Sequence, residues 1–204
     1  MNTTETTETS FARIKASTYG KAFGKDGIFR TSTNLIAGLP AVGKTTFLLQ
    51  LLDEIAGVEK RKVIFSSTEE DGIAIYELAE RIHLKNSELI LVRHDPDESS
   101  NLAEVVIKTK PAAVVIDSLR NLVGTVKSDV DEALRLCSNL AQRCRCPFFI
   151  SQRDDNDLES YRVDCIAALI INDDHTRTLE IRKNRFGRAF VTQIFQMGRK
   201  GFTS

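Results

Sequence analysis

Apolar positions along the chain follow two rhythms that take turns. Short apolar runs at Thr33 to Ala37, Lys62 to Ser66, Leu89 to Arg93, Ala113 to Ile116 and Pro147 to Ser151 read as buried strands. Between them apolar residues recur at helical spacing. Phe47, Leu48, Leu51, Leu52 and Ile55 make one helical face, with Gly57 placed to end the helix; a second helix is predicted over Asp71 to His83, and a third runs through Lys110 before Pro111 resets the chain. A long amphipathic helix is predicted from Ser128 to Arg145. After it, strands near Cys165 to Ile171, Thr178 to Lys183 and Ala189 to Met197 follow one another with no helix between. Helical crossovers make the earlier strands parallel, and direct connections make the last ones antiparallel. The predicted fold class is therefore α/β: a mainly parallel twisted sheet flanked by helices, with antiparallel strands added at the C-terminal side.

Ligands of such sheets bind at the carboxyl ends of the strands, and there the chain carries its clearest chemistry. The first strand runs directly into GLPAVGKT, Gly38 to Thr45, which fits the phosphate-binding loop GxxxxGK[ST] in sequence and in strand-to-helix context. Gly38 and Gly43 let the backbone wrap phosphates closely, and the amides of Leu39, Pro40-preceded Ala41, Val42 and the helix start supply partial positive charge. Gly38, Leu39, Pro40, Ala41, Val42, Gly43, Lys44, Thr45 and Thr46 are the candidate nucleotide-binding residues. Lys44 is expected to reach the β- and γ-phosphates and Thr45 to ligate Mg²⁺; for Thr46, packing and phosphate contact remain open.

Three further strand ends carry polar groups. AAVVID ends on Asp117, the form of a carboxylate that helps hold Mg²⁺ beside the nucleotide. VIFSSTEE leaves Glu69 and Glu70 at the end of the second strand, and FFISQ leaves Gln152 at the end of the fifth. A carboxylate at that edge can polarise the attacking water, and an amide can sense the γ-phosphate. Glu70 reads as an acid favoured at a helix N-terminus, so the general base is assigned to Glu69. The expected cofactors are ATP and Mg²⁺.

Composition adds constraints on partners. Lys plus Arg equals Asp plus Glu at 28 each, so any polyanion site must come from local asymmetry. Such asymmetry exists: Arg177 to Ser204 carries seven basic residues against Glu180 alone, and Asp154 to Asp174 carries seven acids against Arg162. The first ten residues are polar and Thr-rich, giving an expected disordered tail over 1–10 and a single domain over 11–204. No apolar run approaches a membrane span and no secretory pattern opens the chain, so a cytoplasmic protein is expected. Cys137, Cys144, Cys146 and Cys165 contain no CxxC pair, and His83, His94 and His175 are scattered, which argues against structural zinc.

Near the C-terminus LEIRKNRFGRAF, Leu179 to Phe190, concentrates Arg182, Lys183, Arg185 and Arg188 against Glu180. Strand alternation puts Leu179, Ile181, Lys183 and Arg185 on one face and Thr178, Glu180, Arg182 and Asn184 on the other. Two cations are thus expected to continue an apolar face.

Taken in order, GLPAVGKTTFLLQ, FSSTEE, VVIDSL and KNRFG resemble the ATPase core of bacterial RadA, within the wider RecA-like and DnaB-like P-loop motor superfamily. The resemblance covers roughly Gly24 to Phe202. KNRFG is its specific element, since the phosphate loop is shared by many unrelated ATPases. It implies a RecA-like fold, ATP hydrolysis, and a homo-oligomer in which Lys183 and Arg185 of one subunit contact the γ-phosphate on its neighbour. Such a head-to-tail contact yields a ring or a helical filament. The resemblance also implies a longer plan, with an N-terminal Cys₄ zinc module and a C-terminal protease-like domain; neither pattern occurs here, so a bare motor core is expected.

The implied function is a Mg²⁺-dependent ATPase of RadA/RecA type that couples hydrolysis to remodelling of single-stranded or branched DNA in recombination, repair or replication. One segment departs from it: after Gln152, where RecA-like proteins carry a DNA-contacting loop, Arg153 to Ser160 reads RDDNDLES, and acids repel phosphate. Leu119 to Asp129, with Arg120 and Lys127, is the other candidate DNA loop, and reads equally as an ordinary connection. Two alternatives therefore stand: a KaiC-like regulatory nucleotide switch acting through protein partners without nucleic acid, and a small phage or plasmid helicase or annealing ATPase.

Overall fold

The computed structural model of the chain describes residues 13–24, 26–94, 99–119, 127–153 and 162–203. The tail expected over 1–10, Arg120, the side chain of Lys127 and the acidic residues from Asp154 to Ser160 lie outside the described residues.

Arg13–Ile14 (β1) and Ile28–Phe29 (β2) form a small antiparallel ladder beside the main sheet. The main sheet is built from β3 (Thr33–Ala37), β4 (Val63–Ser67), β5 (Ile90–His94), β6 (Val114–Asp117), β7 (Phe148–Gln152), β8 (Cys165–Ile171), β9 (Arg177–Asn184), β10 (Val191–Gly198) and β11 (Gly201–Thr203). These nine strands lie in the order β11-β10-β9-β8-β3-β7-β6-β4-β5. Pairing is parallel from β8 to β5 and antiparallel from β8 to β11. The mixed sheet expected from the element order is what forms, with β1, β2 and β11 added.

The helices are α1 (Lys44–Glu59), α2 (Gly72–Arg81), α3 (Ser99–Thr109) and α4 (Lys127–Cys144). Alternate strand residues feed two cores, as expected of a sheet covered on both faces. Ile36, Phe65, Val115 and Phe149 meet α1 and Ile75 of α2 on one side. Leu35, Ile64, Ile116 and Ile150 meet Val106 of α3 and Leu134 and Ala141 of α4 on the other.

Two expectations about α1 need correction. The helix runs past Gly57 to Glu59 and ends on Lys60 in the left-handed conformation, whose N–H reaches the Ala56 carbonyl. Gly57 is small for a packing reason instead: a Cβ there would lie 2.8 Å from Asn86 Nδ2, and that amide donates to the Asp53 carbonyl at 3.1 Å. Nor does α1 bury a single stripe, because Leu49, Gln50 and Ala56 are buried as well. Late structure covers that side. Phe202 of β11 donates its N–H to Gln50 Oε1 at 2.8 Å, and Gln50 Nε2 donates to Tyr19 Oη at 2.8 Å and to the Phe202 carbonyl at 3.1 Å. Glu54 receives the N–H groups of Thr18, Tyr19 and Gly20.

Candidate nucleotide site

The parallel order brings the ends of β3, β4, β6 and β7 to one edge, and there the residues singled out by sequence converge. Gly43 has φ of 105°, a conformation glycine tolerates, and a Cβ on it would lie 3.0 Å from the Phe202 ring. At Gly38 a Cβ would stand 2.8 Å from the Leu169 carbonyl oxygen and 2.9 Å from Val42 Cγ1. Both glycines are therefore required by close approach. Lys44 folds over the loop, donating to the carbonyls of Gly38 at 2.9 Å and Leu39 at 3.1 Å.

Thr45 Oγ1 donates to Asp117 Oδ2 at 2.6 Å, joining the loop to the end of β6. Asp117 belongs to its strand, one residue beyond the expected end. Ser151 Oγ donates to the other carboxylate oxygen, and Ser118 N donates to Thr68 Oγ1 at 3.0 Å. Ser151 and Thr68 were missed in the sequence; a polar residue closing an apolar strand, as in FFIS and VIFSST, was the available signal. Burial pushes the Asp117 carboxyl above the ordinary carboxylate range, against the hydrogen bonds from Ser151 and Thr45 that pull it down. Burial also lowers the Lys44 ammonium, which Asp117 and Glu69 oppose.

The strand ends expected beside them are in place. Glu69 Oε1 accepts from Ser118 Oγ at 2.7 Å. Glu70 is not the first-turn acid of α2: Asp71 caps that helix, accepting from the Ala74 N–H at 2.8 Å, and Glu70 precedes the cap with its N–H on Ser67 Oγ at 2.9 Å. Burial first, then the charges of Asp117, Glu69 and Asp71, raise the Glu70 carboxyl. Gln152 is buried at the end of β7, its carbonyl accepting the Gly38 N–H at 3.2 Å while its Oε1 is without a partner among the described residues. Thr46 is buried in the first turn of α1.

This donor set suits a nucleotide with its divalent cation. A hydroxyl and a carboxylate converge beside an ammonium and the N-terminus of a sixteen-residue helix, which matches how Mg²⁺ is shared between protein oxygens and phosphates. Among the described residues no group of three or more His, Cys, Asp or Glu forms an all-protein metal cage.

The basic segment stands at the opposite edge. Because β9 runs antiparallel to β8, its end meets the start of β8, with Lys183 opposite Ile166 and Asn184 opposite Cys165. Arg185 N–H donates to the Asp164 carbonyl, and Asp164 N–H donates to the Thr33 carbonyl at the start of β3. The phosphate loop leaves the other end of β3, about 13 Å further on at a strand rise of about 3.3 Å per residue.

The expected alternation along β9 is broken there. Ile181 pairs with Ala167 and Lys183 with the adjacent Ile166, leaving Arg182 as the extra residue of a bulge. Paired residues share a face, so Ile181 lies with the α1 core and Lys183 with Ile166 on the α4 side. Lys183 and Arg185 do share a face, but it is not that of Leu179 and Ile181. They border Ser138 of α4 and Arg162. Asn184 and Phe186 anchor the segment from behind: Asn184 Nδ2 donates to the Phe23 carbonyl at 2.9 Å, Arg13 Nη2 donates to the Phe186 carbonyl at 2.7 Å, and the Phe186 ring stacks on Phe29 at 4.0 Å.

A phosphate loop between β3 and α1, on a sheet ordered 8-3-7-6-4-5 with antiparallel strands beyond, defines a RecA-like P-loop fold. The crystal structure of a KaiC-like protein from the archaeon Pyrococcus horikoshii OT3 superposes with a TM-score of 0.76 at 17% identity, covering 93% of this chain and 98% of that one. In sequence the chain is similar to proteins named DNA repair protein RadA. It is 29% identical to that of Treponema pallidum over 196 residues (87% of this chain), 27% to that of Aquifex aeolicus over 191 (86%) and 26% to that of Bacillus subtilis over 215 (98%). The resemblance read from the motifs thus extends over most of the chain. The chain spans 41%, 42% and 46% of the lengths of these curated relatives. No family model matches it. Among the described residues no helix is long and apolar enough to cross a membrane.

Proposed function

We propose that the chain is a Mg²⁺-dependent ATPase that assembles head to tail, each nucleotide held by one subunit and completed by Lys183 and Arg185 of the next. The placement of those two cations at the sheet edge opposite the phosphate loop carries the proposal, since within one copy they face away from the phosphates that Lys44 would bind. Thr45 and Asp117 are the residues to hold Mg²⁺, which neutralises charge on the β- and γ-oxygens when bound. Lys44 neutralises phosphate from the loop, and Gln152 offers its unpaired Oε1 to a group at the strand ends. Glu69, held by Ser118, orients the attacking water and accepts its proton.

Work on single-stranded or branched DNA is the reading favoured by similarity to DNA repair proteins. ATP turnover measured with and without single-stranded DNA at two salt concentrations tests it: salt-sensitive stimulation is expected. ATP-dependent assembly with neither DNA binding nor stimulation would replace it by the protein-partner switch.

For the fingers, Lys183→Ala and Arg185→Ala each lower turnover by about 10³-fold or more with nucleotide affinity retained. Mixing either with Lys44→Ala subunits restores activity at hybrid interfaces. Absence of that rescue rejects action between subunits.

A further inference from the structure

Single exposed apolar side chains are ordinary on protein surfaces, but here the most exposed ones fall into two sets beside opposite charge. On α2, Ile73 is 72% exposed and Tyr76 59%. They share one helical face with Glu77 and Glu80, three and four residues apart. That helix begins directly after Glu69 and Glu70, at the nucleotide edge. The second set follows the basic segment: Phe190 is 83% exposed and Ile194 61%. Phe190 lies five residues beyond Arg185, its backbone in the left-handed region at φ of 58° and its N–H on the Ile181 carbonyl. Ile194 pairs with Thr178, on the side of β10 opposite the buried Phe195.

We infer that these two surfaces are one interface between copies of this chain: Phe190 and Ile194 of one subunit seat against Ile73 and Tyr76 on α2 of the next. The inference rests on the head-to-tail reading above and adds the contact that would guide Lys183 and Arg185 to the neighbour's phosphates. Two observations commit the occupant to a second copy. One set borders the phosphate loop and the other borders the two cations, so a contact that delivers the cations brings the apolar sets together. Their charges are also complementary, with Glu69, Glu70, Glu77 and Glu80 around one and Arg182, Lys183, Arg185 and Arg188 around the other. An apolar centre ringed by opposite charges gives both register and a dry contact. The surfaces differ, so the contact is heterologous and propagates in one direction.

Cysteine cross-linking tests the inference. Cys137, Cys146 and Cys165 are buried with thiols pushed up to about 12, and therefore react slowly; Cys144→Ser removes the remaining thiol. In that background Phe190→Cys protein and Tyr76→Cys protein are mixed with Mg²⁺ and a non-hydrolysable ATP analogue, then treated with a short bismaleimide. The expected product is a cross-linked pair in the mixture and none with either variant alone. Maleimide labelling of Phe190→Cys is expected to be fast in dilute protein and at least tenfold slower after assembly. Cross-linking of Phe190→Cys to itself shows a symmetric dimer and overturns the inference, as does slow labelling in dilute protein, which shows the site covered by its own chain. Restored activity in the Lys44→Ala mixtures without the Phe190–Tyr76 product rejects this interface while sparing the fingers. Full turnover by a protein that never assembles sinks both.

Discussion

Lys183 stands opposite Ile166 across the β8–β9 ladder, and the neighbouring Ala167 is already matched with Ile181, so that Arg182 is left over. One unmatched residue reverses which face the following side chains occupy. It moves Lys183 and Arg185 out of line with the core residues Leu179 and Ile181, onto the side where α4 presents Ser138. Asn184 and Phe186 then point back to the N-terminal segment. The basic segment therefore works as a rigid mount with its cations outward.

Asp164 ties that mount to the strand that carries the phosphate loop. Its Oδ2 accepts the Thr33 N–H at 3.0 Å and its Oδ1 lies 3.4 Å from Arg185 Nη1. Asp164→Asn keeps an acceptor for Thr33 and removes the charge beside Arg185. Because Arg185 is exposed, the pair adds little stability; orientation is what is lost. Turnover is expected to fall by about three- to tenfold, with the nucleotide Kd and the urea midpoint nearly unchanged. A changed Kd with unchanged kcat would contradict this role.

The Asp117 carboxyl, raised by burial, sets stability against function. The unfolded chain releases this proton in the ordinary carboxylate range and the folded chain only at higher pH, so its stabilising contribution is complete below the unfolded pKa and is lost as pH rises through the folded one. At neutral pH the charged group is a cost. Asp117→Asn keeps a carbonyl acceptor for Thr45 or Ser151 and removes the buried charge, so nucleotide-free protein at pH 7 should melt at the same or a higher temperature, by about 2 to 4 °C for each kcal/mol gained. Mg²⁺-dependent turnover should collapse. A lower melting temperature at pH 7 together with normal turnover would reverse the assignment.

Glu69 and Glu70 can be separated by pH. Glu69→Gln should retain ATP binding and lose hydrolysis, by about 10²-fold or more. Glu70 owes part of its raised value to the Glu69 charge, so its titration, followed by carboxyl NMR, should move down in Glu69→Gln. If Glu70→Gln loses hydrolysis and Glu69→Gln does not, the proton acceptor is Glu70.

Phe202 floors the phosphate loop from the far end of the chain. Its ring is buried against Phe47 and Phe195 and touches the site of a Cβ on Gly43. Phe202→Ala should cost about 3 to 5 kcal/mol of stability, read by urea unfolding. It should also weaken ATP binding, measured below the onset of unfolding, because Gly43 loses its support. Phe202→Leu should recover most of both. Weakening of ATP binding without loss of stability would argue against this packing role.

Local chemistry alone determined much of this protein. Alternation of strand and helix periods located the parallel strands, because each crossover helix must bury one face on the sheet it connects. GLPAVGKT announced its function through spacing, since a backbone that wraps phosphate needs glycine and lysine at those places. Asp117, Glu69 and Gln152 could be singled out because a polar residue closing an apolar strand has few structural uses. The end of α1 could not be read, since Gly57 is small for the sake of Asn86 and not as a terminator. Nor could β11, whose three residues owe their strand to Gln50 and the neighbouring β10.

The face of Lys183 and Arg185 was decided by tertiary structure. Alternation counted along β9 is a property of an unbroken strand, and the bulge at Arg182 arises from register against β8. The same is true of the distance between these cations and their own phosphate loop. Direction of pairing, parallel on one side of β8 and antiparallel on the other, sends the two ends of the chemistry to opposite edges of one sheet.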